Sequence, residues 1–140
     1  MEFFEAQTTI KAAPDLVWSV LVDGAGWPSW DSGVVSVAGN IALGNKLTIK
    51  AAAAGDRAFP VKVTVFDAPH RLVFSGGMPI GLFRGVRTYT LAPAGLGTLF
   101  QMREEYSGAL LGPIWKSIPD LGPSFTQFVA GLKMRVESDA

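Results

Sequence analysis

One helix closes a chain that is otherwise written in period two, and that order constrains the fold more than any other feature. Phe125, Phe128, Val129, Leu132 and Val136 stand at i, i+3, i+4, i+7 and i+11, the spacing of a single apolar stripe on an α-helix. Thr126, Gln127, Lys133, Arg135 and Glu137 lie elsewhere on the wheel. Pro113, Pro119 and Pro123 interrupt the segment before it. The pattern predicts a short helix near 111–118, a break at Pro119 and a main helix from about Asp120 to Glu137.

Upstream the text alternates. Phe4, Ala6, Thr8 and Ile10 fall on one face of a first strand, with Glu5, Gln7, Thr9 and Lys11 on the other. Pro14 and Asp15 suit a first helical turn, and Val17, Trp18 and Leu21 share one side of the short helix that follows. Asp23 to Gly26 stops it, and Trp27-Pro28-Ser29-Trp30-Asp31 reads as a second short helix or turn. From Val34 onward strands alternate with turns. Leu47, Ile49 and Ala51 share a face; so do Phe59, Val61, Val63 and Val65; Arg71 to Ser75 follows. Gly85 to Leu91 and Thr98 to Ser107 flank Ala92 to Gly97, a long hairpin.

Strands joined end to end by tight turns imply an antiparallel sheet, and a long one curls. Only the C-terminal stripe is long enough to cover the concave face. The expected class is α+β: a curved antiparallel sheet of about seven strands wrapped around a long C-terminal helix, with two short helices after the first strand. A lipocalin-like barrel would leave residues 110–137 unexplained, and a cystatin-like cone would put its long helix early. The 140 residues suit one domain over 1–140.

Composition narrows the function. Twelve basic and twelve acidic residues cancel, and there is no basic run, so nucleic acid is not the expected partner. The chain has no Cys and one His, which excludes thiol chemistry and a His-rich zinc site, so neither a metal nor a cofactor is expected. Charged residues make up 17% and hydrophobic ones 49%, a balance that suits a large core or a cavity lined with apolar side chains. Met1-Glu2-Phe3-Phe4-Glu5 has no secretory pattern, and no stretch approaches a membrane span. A cytoplasmic protein without stable membrane insertion, monomer or homodimer, is the expectation.

Ile10-Lys11-Ala12-Ala13-Pro14-Asp15-Leu16-Val17-Trp18, Leu21-Val22-Asp23 and Trp27-Pro28-Ser29-Trp30 form one set of motifs. Gly85-Val86-Arg87-Thr88-Tyr89-Thr90-Leu91 and Arg103-Glu104-Glu105-Tyr106-Ser107-Gly108 form a second. Together they resemble the SRPBCC group of the START and plant-pollen-allergen superfamily, many members of which are polyketide cyclase/dehydrase-like. The resemblance spans nearly the whole chain and implies a helix-grip fold with an elongated apolar cavity. It fixes no single activity, since members include lipid carriers, hormone binders, cyclases and co-chaperone modules.

If Leu91 faces Thr98 across the hairpin, then Tyr89 faces Phe100, Arg87 faces Met102, and Glu104 lies one diagonal step from Arg87. Arg87, Tyr89, Phe100, Met102, Glu104 and Tyr106 then share the concave face. Arg87 and Glu104 are charges in an apolar space and need each other or a ligand. The pair reads either as a polar anchor for a carboxylate or carbonyl oxygen, with Glu104 as acceptor or general base, or as a salt bridge that closes the sheet. Residues expected to line a ligand cavity are Phe59, Val61, Val63, Phe74, Arg87, Tyr89, Phe100, Met102, Glu104, Trp115, Phe125, Phe128 and Leu132. Trp115 is included because its Pro-broken segment is placed to form a lid.

His70 falls in the turn Asp67 to Arg71 and reads as exposed, and Asp31 reads as a cap. Gly76-Gly77 and Gly81 to Gly85 lack the following helix that a phosphate cradle needs. The first expectation is a binder of a hydrophobic small molecule, lipid-like, aromatic or polyketide-like. The alternatives are a cyclase, dehydratase or hydrolase using Arg87, Glu104 and Tyr106 in the same cavity, or a co-chaperone-like interaction module.

Overall fold

Seven antiparallel strands run in the order β1-β7-β6-β5-β4-β3-β2 in the computed structural model, which describes residues 2–52, 55 and 57–139. The strands are β1 (Glu2–Ile10), β2 (Val34–Ala38), β3 (Lys46–Ala51), β4 (Ala58–Asp67), β5 (Arg71–Gly77), β6 (Arg84–Ala94) and β7 (Gly97–Ser107). Helix α1 (Pro14–Leu21) and a 3-10 helix (Gly24–Ser29) follow β1, a five-residue α2 (Leu111–Trp115) follows β7, and α3 (Gly122–Asp139) closes the chain. The sheet curls around α3, a helix-grip arrangement. α2 is shorter than the expected 111–118, and α3 starts two residues later than expected, at Gly122, where Asp120 Oδ1 accepts from the Gly122 N–H at 2.9 Å, and runs two residues past Glu137 to Asp139.

Two local features set the register. The β6–β7 hairpin turns on Gly95 and Leu96 alone, with Ala94 facing Gly97 and Gly95 at φ 60. A two-residue loop with positive φ at its first position matches strand twist. The sequence suggests a six-residue turn. The strands run on instead, and the pairing moves by two residues: Arg87 faces Glu104 directly, Tyr89 faces Met102 and Leu91 faces Phe100. An even shift keeps every side chain on its expected face. In β4 a bulge falls between Val63 and Val65. It changes the inward phase, so Phe66, not Val65, lies opposite Leu72 and packs its ring on Trp18 at 5.2 Å. The extra residue also adds local twist, which suits a curling sheet.

The core fills half of the grip. The α3 stripe of Phe125, Phe128, Val129, Leu132 and Val136 is buried against the concave face. Trp27 is fully buried at its centre, with its ring centroid 5.0 Å from Phe128 and 6.4 Å from both Phe74 and Tyr89. Its indole N–H donates to the Leu21 carbonyl at 3.0 Å, so the polar atom is satisfied. Thr98, also buried, donates to the Ala12 carbonyl at 2.7 Å and ties β7 to the bend after β1.

Gly131 sets how closely α3 can approach the 3-10 segment. A Cβ there would overlap the Asp31 carbonyl oxygen, a backbone atom that cannot swing aside. Gly131→Ala is therefore expected to lower stability by about 1–3 kcal/mol, the range for overpacking a tight contact. Urea denaturation checks this, and an unchanged midpoint would contradict it.

Candidate functional site

The other half of the grip is hollow. A cavity of about 570 Å³ lies between the concave face and the first turns of α3. Ile49, Val61, Phe74 and Met102 line it from the sheet, and Leu121, Ser124, Phe125 and Phe128 from the α3 side. Ile114 of α2 and Ile118 beyond it close one side, while Arg57 and Phe59 stand at an exposed rim.

The space exists because side chains are missing. Gly76 of β5 faces Gly85 of β6, and both line the cavity with Gly77. Gly85 lies two residues from Arg87, and Gly76 two from Phe74, so both occupy inward positions. The nearest atoms to a Cβ at Gly85 would be the Tyr106 ring at 3.5 Å and the Glu104 carboxyl carbon at 3.7 Å, ordinary contacts. A Cβ at Gly76 would meet the Pro60 carbonyl at 2.8 Å. Gly76 is thus required by its neighbour strand, whereas Gly85 leaves room. In sequence these glycines stand out only as a failed phosphate cradle. Their cross-strand pairing on the inward face is the signal for a hollow.

Of the expected lining residues, the structure brings Phe59, Val61, Phe74, Arg87, Met102, Glu104, Phe125 and Phe128 to the cavity wall. It does not bring Val63, Tyr89, Phe100 or Leu132 there. All four are fully buried in the packed half around Trp27. Trp115 also lies off the wall: its ring stacks on Phe4 at 5.3 Å and sits 5.4 Å from Tyr106, pinning α2 to the sheet. Tyr106, a catalytic candidate, does line the cavity. His70 and Asp31 are exposed, and Asp31 accepts from Gln127 at 2.7 Å.

Among the described lining residues, Arg87, Glu104 and Tyr106 form a polar cluster in the mostly apolar wall. Arg87 Nε donates to Glu104 Oε1 at 3.2 Å and Arg87 Nη2 to Oε2 at 3.5 Å, a two-pronged pairing. The Tyr106 hydroxyl also donates to Glu104 Oε2. The Arg87 guanidinium lies 4.9 Å above the Phe125 ring centre, a cation–π contact from α3. The two side chains are 23% and 16% exposed, so the pair opens onto the cavity instead of being sealed beneath it. Burial is the largest single influence and works against the Arg87 charge, but the Glu104 carboxylate together with the Tyr89 and Tyr106 hydroxyl groups outweighs it and holds the guanidinium pKa above its ordinary value. Burial, then the Glu104 charge and hydrogen bond, push the Tyr106 phenol well above its usual range.

The Tyr106 shift has a sign that can be measured. A phenol whose folded pKa is raised keeps its proton when the unfolded chain has lost it. Its stabilising contribution is present below the unfolded value near 10.0 and is lost as pH rises beyond it. Tyr106→Phe is expected to flatten the loss of stability above pH 10, read from denaturation midpoints between pH 8 and 11. An alkaline slope identical to that of the parent protein would contradict this.

The comparisons agree with this fold. A family model described as polyketide cyclase / dehydrase and lipid transport matches residues 1–137. The chain belongs to that family. Solved structures that this polyketide cyclase/dehydrase-family protein resembles include protein MLL2253 from Mesorhizobium loti, with TM-score 0.76, 16% identity and 99% of each chain covered. TTHA0849 from Thermus thermophilus gives TM-score 0.73 and 21% identity, again over 99% of both chains. A START superfamily protein from Mycobacterium smegmatis gives 0.73 and 18% over the same share. At these identities the likeness speaks to fold alone. No curated protein matches the chain. The family as a whole implies hydrophobic ligand binding, and no helix among the described residues is long and apolar enough to cross a membrane.

Proposed function

We propose that this chain binds one apolar or amphipathic small molecule in the hollow beneath the first turns of α3, with Arg87 as its polar anchor. The observation that carries this is the combination of a 570 Å³ apolar space with one charged pair opening into it. Sites for drug-sized ligands have this size and this sparse polarity. Lipid-like, aromatic and polyketide-like molecules all suit such a space.

Glu104 supports the anchor reading over that of a general base. Its two oxygens already take three donors, from Arg87 and Tyr106, which lowers its basicity toward a substrate proton. The interaction-module reading is weaker, because Lys46, Thr48, Lys50 and Lys62 on the outer face are polar and point to solvent. Native mass spectrometry of the purified protein, followed by organic extraction, tests the proposal. A bound apolar molecule, or stoichiometric uptake of an added one, is the expected result. Failure to take up any member of a broad panel of apolar molecules would overturn it.

A further inference from the structure

We infer that the hollow selects an uncharged molecule with one hydrogen-bond-accepting oxygen, such as a ketone, quinone, ester or amide carbonyl, over a carboxylic acid of the same size. This rests on the container reading above and names its ligand class.

The donor count points to an acceptor. A guanidinium carries five N–H groups in a fixed fork. Arg87 uses Nε and Nη2 on Glu104, and Nη1 makes no hydrogen bond among the described residues. Tyr89 Oη, two residues along the same face, is near enough to feel the Arg87 charge. It approaches the guanidinium closely, but no hydrogen bond of ordinary geometry joins the two, so donors of Arg87 stay available. Nη1 is not among the sealed, unsatisfied atoms, and Arg87 lines the cavity. Donors without an acceptor therefore open on the hollow.

The charge balance excludes an acid. Arg87 and Glu104 cancel, so the polar cluster is neutral before any ligand arrives. A ligand carboxylate on Nη1 would lie close to the Glu104 carboxylate, and like charges in a poorly solvated space repel strongly. It would also give up its own hydration against walls that are mostly apolar. A carbonyl oxygen accepts the same N–H groups without either cost. The remaining charged residue among the described lining positions is Arg57. It is exposed at the rim, where water and salt screen it.

Three fluorescent probes of one shape test this: the ketone 6-propionyl-2-dimethylaminonaphthalene, the carboxylate 6-dimethylamino-2-naphthoate, and 6-propyl-2-dimethylaminonaphthalene, which has no acceptor oxygen. Titrated at pH 7.5, the ketone is expected to bind at least about tenfold more tightly than either of the others. Glu104→Gln uncovers the Arg87 charge and is expected to raise carboxylate affinity at least about tenfold relative to the ketone. The double variant Arg87→Met, Glu104→Leu leaves no unpaired charge to disturb folding. It is expected to bind the ketone no better than the propyl compound. Equal binding of all three probes by the parent protein would overturn this inference and keep the container reading. A carboxylate that matches the ketone, or a ratio unmoved by Glu104→Gln, would overturn the inference as well. Binding of none of the three would overturn both.

Discussion

Trp27→Ala is expected to lower the free energy of unfolding by about 3–5 kcal/mol, measured by urea denaturation. Trp27 is surrounded by other side chains and sealed from solvent. Its ring touches α3 through Phe128 and the sheet through Phe74 and Tyr89, so it is the wedge that joins the two layers. Removing it deletes those contacts and leaves a void that Phe128, held between Trp27 and Trp30, cannot close without moving α3. The indole N–H bond to the Leu21 carbonyl is lost too, which frees the end of α1. Trp27→Phe keeps most of the area without the donor and is expected to cost less than half as much. A loss under about 1 kcal/mol for Trp27→Ala would mean that the packed half of the grip does not depend on this residue.

Gly85→Leu is expected to do the opposite: leave stability intact and remove ligand binding. The position sits inside a strand at ordinary φ, and the nearest atoms to a new Cβ, in the Tyr106 ring and Glu104, lie at ordinary contact distance. A strand glycine replaced by a residue with a side chain loses less entropy on folding, so the melting temperature should hold or rise slightly. The leucine branch, however, enters the hollow beside Arg87. The 6-propionyl-2-dimethylaminonaphthalene probe is expected to bind at least about tenfold more weakly. Gly85→Ala should give an intermediate effect. Gly76→Ala is the contrasting variant: its Cβ meets the Pro60 carbonyl at 2.8 Å, and it should lose stability as well as binding. Full binding by a folded Gly85→Leu protein would place the ligand elsewhere.

The fold is legible in the sequence because two periods dominate it. Period two in β1, β3, β4 and β6–β7 and the α3 stripe leave few ways to bury both faces. The inward set of β6 and β7 survives a register two residues off, since a pleat repeats every two. Val65 cannot be placed from sequence, because the bulge at residue 64 is a property of pairing, not of one strand's text. The charged pair is legible for a simple reason: charges on an apolar face are rare and need a partner. The division of the grip into a packed and a hollow half is not legible. Val63, Tyr89, Phe100 and Leu132 are largely apolar, like the residues at the cavity wall, and only the packing of the folded chain makes them core. The missing side chain at Gly85, which leaves room in the hollow, and that at Gly76, which its neighbour strand requires, matter only once β5 and β6 are side by side.

A crystal structure of the protein with 6-propionyl-2-dimethylaminonaphthalene tests most directly whether a ligand occupies the space beneath the first turns of α3 with its oxygen on Arg87. The expected result is the naphthalene ring between Gly85 and Phe125 and the ketone oxygen within hydrogen-bond distance of Arg87 Nη1, with the Arg87–Glu104 pair intact. A probe bound on the outer sheet face, or a hollow closed by collapse of Phe125 and Phe128 onto the glycines, would contradict it.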